Sequence, residues 1–108
     1  MMRKNESLKK IESQLLRLDH EIFMLSFRAE EAMPNVMAEC YRYIQTLRQQ
    51  YQTIDTRLQK LRKAKGSAWK EQSNAMDDAL RELDCLIESI GMQVRIRLAD
   101  GFGSRYPG

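Results

Sequence analysis

Apolar residues recur at alternating intervals of three and four through the first third of the chain. Because about 3.6 residues complete a helical turn, this spacing places all of them on the same side of a helix. A row of this length predicts a helix that packs lengthwise against another helix. The row consists of Leu8, Ile11, Leu15, Leu18, Ile22, Leu25, Ala29 and Ala32.

A second row lies almost opposite the first on the same predicted helix. It consists of Leu16, His20, Phe23 and Phe27, spaced by four, three and four residues. A single partner helix covers only one side of a helix, so it leaves one of the two rows uncovered. Either the rest of the chain covers both rows or another molecule covers one. We expect the second row to be an interface with another copy of the chain or with a helical partner.

Two more rows of the same kind follow, and each predicts another long helix. The second helix carries Met37, Cys40, Ile44, Leu47, Tyr51, Ile54, Leu58 and Leu61. The third helix carries Trp69, Met76, Leu80, Leu83, Ile87, Ile90 and Val94. None of the eight positions of the second row is charged, which is typical of a helix packed along its whole length.

Pro34 separates the first two rows. Its ring fixes φ and removes a backbone donor, and it disfavours helical backbone at Met33. Pro34 therefore either begins a new helix or kinks one long helix. The first row predicts its next apolar position at residue 36, whereas the second row is best phased at Met37. This slip of phase favours a turn.

Gly66 marks the second boundary. Basic residues precede it, where the negative end of a helix dipole favours cations, and glycine readily adopts the left-handed backbone that closes many helices. We expect a tight antiparallel turn at residues 65–67, with Trp69 packed against Leu58 or Leu61.

The charges on either side of Gly66 are opposite in sign. Residues 34–65 carry seven basic and two acidic side chains, whereas residues 66–108 carry five basic and seven acidic ones. Such a distribution favours side-by-side packing of the last two helices, although each pair contributes only a few tenths of a kcal/mol. If the chain reverses at Gly66, Asp84 is expected opposite Arg48.

Residues 92–98 are ambiguous. Met92, Val94, Ile96 and Leu98 alternate with polar residues, as in a strand, yet the row of the third helix also continues through Val94 to Leu98. We favour a helix, because Gly91 costs only about 1 kcal/mol in a helix interior and no other strand is predicted as a partner.

These features predict an all-α fold, an antiparallel up-down-up three-helix coiled-coil bundle that oligomerises through its first helix. The helices are expected over about residues 7–33, 35–65 and 67–99. Residues 1–100 are predicted to form a single helical domain. Residues 101–108 contain three glycines and a proline, and we expect them to be a flexible tail. In length and layout the chain resembles spectrin-type repeats, but those carry their tryptophan inside the first helix, so no family is assigned.

The net charge of the chain is compatible with an anionic partner but does not require one. The net charge is +3, whereas nucleic-acid-binding domains usually concentrate more positive charge. The candidate site for a nucleic acid or an anionic surface is a basic cluster, which consists of Arg57, Lys60, Arg62, Lys63 and Lys65. We favour a structural role for this cluster, in which it compensates the helix dipole and pairs with the acidic start of the third helix.

The sequence offers no set of residues suited to catalysis or metal binding. His20 is the single histidine, and no nucleophile, carboxylate or further ligand lies three or four positions from it. Cys40 and Cys85 lie in different predicted helices and form no disulfide framework, so a reducing cytoplasm is the expected location. No apolar run approaches the roughly 20 residues that span a bilayer. We therefore expect a non-catalytic interaction or scaffold protein without metal or cofactor, with anion binding as the alternative.

Overall fold

A computed structural model describes the backbone of residues 4–103 and the side chains of residues 4–99. Three helices fill this part of the chain: α1 (Lys4–Ala29), α2 (Pro34–Lys63) and α3 (Ser67–Gly103). All three pack against one another, and no strand occurs among the described residues. The predicted all-α three-helix bundle is therefore confirmed.

The first turn is longer than expected, because α1 ends at Ala29 and not near residue 33. The amides of Glu31 and Ala32 bond to carbonyls three residues back, which tightens the chain and ends the regular helix. Met33 has extended backbone, with φ −62° and ψ 152°, and Pro34 is the first residue of α2. Pro34 thus begins a new helix and does not kink an existing one, as the slip of phase favoured.

The second turn closes at Gly66. The helix α2 ends at Lys63, two residues before its expected end, and Ala64 is extended with ψ 146°. Gly66 has φ +62°, the left-handed conformation expected of it. The Lys4 ammonium donates to the carbonyl oxygen of Ala64 at 2.7 Å, and it lies 5.2 Å from the centre of the Trp69 ring. The start of α1 therefore binds the end of α2 and the start of α3.

Most residues of the predicted rows form the core, whereas Ala32 and Met37 lie outside it. Each helix turns its row inward, and Leu8, Tyr51, Trp69 and Leu98 are half-buried at the edges of the core. No polar or charged side chain is buried among the described residues, so the interior is held by apolar packing. The fully buried residues include Leu18, Ile22, Cys40, Leu47, Leu61, Met76, Leu83 and Val94.

Ion pairs between helices fix which levels of the bundle face each other. Near the start of α1, Glu12 lies 3.0 Å from Arg62, which is close to the end of α2. Near the start of α2, Glu39 lies 2.8 Å from Arg97, which is far along α3. The three long helices lie side by side, and the bundle is long and narrow, with dimensions of 64 × 21 × 16 Å.

The third helix passes Gly91 without a break, as favoured, and it continues beyond residue 99, where its end was expected. Residues 92–98 are helical, with Val94 buried and Met92 and Ile96 exposed, so the strand-like alternation is misleading. The helix ends at Gly103 and not near residue 99, because each added residue gains a backbone hydrogen bond that offsets the cost of a glycine. The backbone of residues 101–103 is thus helical, the flexibility of the tail stays a prediction, and residues 104–108 lie outside the described part.

Candidate interface on the outer face of the first helix

The four side chains of the second row lie together on the solvent-facing side of α1. Leu16 is 70% exposed, Phe23 is 55% exposed and Phe27 is 53% exposed, and His20 between them is also exposed. The opposite side of the same helix contributes six buried residues to the core. We call these four residues the outer row. Neither α2 nor α3 covers it, so its apolar surface remains available to another molecule.

An open depression lies along the outer row on the side that faces α2. It measures about 630 Å³; Leu16 and Phe23 form its apolar lining, and His20 lies between them. Asp19 and Arg48 stand at its polar border. Shape and lining suit a side chain presented by another helix more than a small molecule, because small-molecule sites enclose most of their ligand.

Three further apolar residues are exposed towards α3, and the sequence patterns did not mark them as interface residues. Met24 is 38% exposed, and it lines a groove between α1 and α3 together with Met92, which is 65% exposed. Ile96, one turn after Met92, is 49% exposed. A helical reading of residues 92–98 would have placed Met92 and Ile96 away from the buried Val94, because they lie on a different side of that helix.

Arg17 closes the groove between α1 and α3 near the middle of the bundle. Its guanidinium lies 3.1 Å from Glu21 on the same helix and 3.5 Å from Asp84 on α3. The expected pairing of Asp84 with Arg48 is therefore wrong, and the Arg48 guanidinium instead lies 3.5 Å from the Ser26 hydroxyl. The prediction considered a two-helix hairpin, whereas in a three-helix bundle the flank of α3 that carries Asp84 faces α1.

The basic cluster at the end of α2 is exposed, but its five members do not converge. Arg62 forms an ion pair with Glu12 of α1 and not with the acidic start of α3. The other four, Arg57, Lys60, Lys63 and Lys65, form no ion pair with any described residue. At about 100° per residue, Lys60 and Arg62 point to different sides of the helix, so no single groove collects the cluster.

The reactive side chains stand apart from one another. Cys40 is buried on α2, where burial raises the pKa of its thiol and the negative charge of Glu39 raises it further. Cys85 is exposed on α3, and both cysteines are free. Among residues 4–99, no three side chains of the histidine, cysteine or carboxylate type come together as a group that could hold a metal ion.

The chain matches no protein-family model, and neither the curated proteins nor the solved structures contain one with significant similarity to it. Within the described residues, no helix has a stretch apolar enough to pass through a lipid bilayer.

Proposed function

We propose that this chain is a non-catalytic interaction or scaffold protein that acts by helix–helix association through the outer row of α1. The observation that carries the proposal is the exposure of Leu16, Phe23 and Phe27 on a helix whose other side is already buried. Half-exposed phenylalanines in a line are costly in water, and covering them with another helix is favourable.

The composition of the surface supports association more than catalysis. The apolar side chains of the outer row are spaced as on one face of a helix. A partner helix packs against such a face through its own apolar residues, which recur at intervals of three, four and seven. The polar groups that border the row, Asp19 and Arg48, sit at its edge, as is usual for the rim of an interface.

Replacing Phe23 and Phe27 with serine tests the proposal. We expect the wild-type protein to have a mass above 12.7 kDa by light scattering coupled to size-exclusion chromatography. The double variant should run as a monomer with an unchanged helical circular-dichroism spectrum, because the two rings lie outside the core. Equal loss of assembly and helicity would assign the rings to the intrachain core and overturn the proposal.

A second candidate function is binding of a nucleic acid or another polyanion through the basic cluster. It is supported by the four cations of that cluster that lack an ion pair. Its signature is a steep loss of affinity with salt, because each neutralised phosphate releases a counterion. Fluorescence anisotropy with labelled duplex DNA and with RNA tests it, using K60E/K63E as the variant. Absence of binding at low salt would remove this candidate.

A further inference from the structure

The charges of α1 change sign along its length. Residues 4–17 carry four basic and two acidic side chains, whereas residues 19–31, which include the first turn, carry one basic and four acidic ones. The change of sign falls near the start of the outer row, between Leu16 and His20. A helix with this distribution of charge is complementary to itself when two copies pack antiparallel.

From this we infer that the partner of the outer row is a second copy of this chain, with the two α1 helices packed antiparallel. The inference rests on the proposed function. In this arrangement Leu16 of each copy faces Phe27 of the other, and His20 faces Phe23, so the apolar positions coincide. A two-fold axis then relates the copies, as in most soluble homodimers.

The same arrangement brings opposite charges together at both ends of the row. Lys9 continues the outer row at its start, and Glu31 follows it at its end; both side chains are exposed. In the antiparallel pairing, Lys9 of one copy lies at the level of the first turn of the other copy, the segment that carries Glu31 just beyond the end of α1, and a lysine side chain is long enough to reach it. A parallel pairing would instead place Lys9 beside Lys9 and Glu31 beside Glu31.

Neither residue is used inside the bundle. Lys9 and Glu31 form no ion pair with any described side chain, unlike Arg17 and Glu12, which bind other helices. Their charges are therefore free to select the orientation of a partner, and selection of this kind is the main contribution of charges at the rim of an interface.

The interface is small. A fully buried aromatic side chain contributes about 150 to 250 Å². Leu16, Phe23 and Phe27 are each exposed by half or more, so together they offer roughly 300 Å² per copy. With its neighbours, the face stays below the roughly 800 Å² per partner of a standard stable complex. We therefore expect a weak dimer with a dissociation constant in the micromolar range, formed and lost with changes in concentration.

Charge reversal at Lys9 and Glu31 tests the orientation. In an antiparallel dimer, K9E and E31K each turn two attractive pairs into repulsive ones, and we expect each to weaken dimerisation about tenfold. The double variant K9E/E31K exchanges the two charges and should restore the wild-type affinity. Sedimentation equilibrium measures all three constants, and the differences should shrink at high salt.

The control is K63E, which makes the same change of charge on α2, away from the outer row. It should leave the dissociation constant unchanged. Single variants that dimerise as well as the wild type would overturn the antiparallel pairing, and so would a double variant that stays weak. If the charge variants overturn the antiparallel pairing but F23S/F27S abolishes the dimer, the proposed association through the outer row still stands. A wild-type protein that stays monomeric up to millimolar concentration would overturn the second copy as the partner.

Discussion

The two sides of α1 carry similar apolar residues in opposite surroundings. On the inner side, Leu18 and Ile22 are at most 1% exposed, whereas on the outer side Leu16 is 70% exposed. Leu16 and Leu18 are chemically the same and lie two residues apart. What separates them is the direction in which each side chain points, because two residues turn a helix by about 200°. Apolar character alone therefore does not identify the core of this protein.

This contrast shows why the first helix differs from the second. Six of the eight residues in the row of α2 are buried, and its exposed side is mostly polar or basic, with Tyr41 as an exposed aromatic residue. The outer side of α1 departs from that pattern. Large apolar side chains on a surface lower solubility unless another molecule covers them. We therefore base the proposed association on the outer row.

The largest expected effect on stability comes from the same substitution, leucine to alanine, made on each side of α1. Leu18→Ala should lower the free energy of unfolding by about 3 kcal/mol, because it opens a cavity in the core. Leu16→Ala should change it by no more than about 0.5 kcal/mol, because the side chain already contacts water. Urea unfolding of both variants, at the lowest workable protein concentration, measures the difference. Similar losses would mean that the outer row is part of the folded core.

Gly66 is the next strongest test, because its left-handed backbone closes the short turn that leads from α2 into α3. Gly66→Ala should lower the free energy of unfolding by about 1 kcal/mol, since its φ of +62° is unfavourable for a residue with a side chain. Nothing lies within 4 Å of the added methyl group, so any loss comes from the backbone and not from a clash. A neutral outcome would argue against the left-handed conformation at this position.

Gly91→Ala is the matched change with the opposite sign. Gly91 lies inside α3, and a methyl group there would meet Leu25, on the buried side of α1, at 3.6 Å, an ordinary contact distance. We expect the free energy of unfolding to rise by about 0.5 to 1 kcal/mol, because alanine favours the helix and fills the interface between α1 and α3. Thermal unfolding of the two glycine variants side by side measures both signs. A destabilised G91A would mean that α3 bends or opens at this residue.

The last prediction concerns reactivity and leaves stability unchanged. Cys40 on α2 is buried and Cys85 on α3 is exposed, so they differ as the two sides of α1 do. Cys85 should react quickly with a thiol reagent at neutral pH, whereas Cys40 should react only on unfolding. Burial both shields the Cys40 thiol and raises its pKa, so little reactive thiolate forms. Counting the labelled thiols with and without urea measures this. Two fast thiols in the folded protein would contradict the buried place of Cys40.

The periodicity of the sequence predicted most of this fold. Three rows, one turn at Pro34 and another at Gly66 follow from spacing and backbone chemistry, and so does the exposure of the outer row. The ends of α1 and α3 did not follow, because local propensity is weak where tertiary packing decides. Gly91 is different, because its cost of about 1 kcal/mol was too small to end a helix, and α3 continues through it as favoured.

The partners of the charged residues were harder to predict than the core. Spacing gives the side of a helix on which Asp84 lies, but not which of two neighbouring helices faces that side. The same applies to Met24 and Met92, which line one groove only once the packing of α1 on α3 is known. The function of the outer row was inferred from its being left over, and it stays a proposal.

The most direct measurement asks whether the outer row is covered as the protein concentration rises. A single reactive thiol at the border of the row, S13C in a Cys85→Ser background, reports its exposure, and Q45C on the exposed side of α2 is the matched control. We predict that labelling at position 13 slows as the concentration passes through the micromolar range, while labelling at position 45 stays constant. Equal rates at position 13 at every concentration would contradict self-association through the outer row.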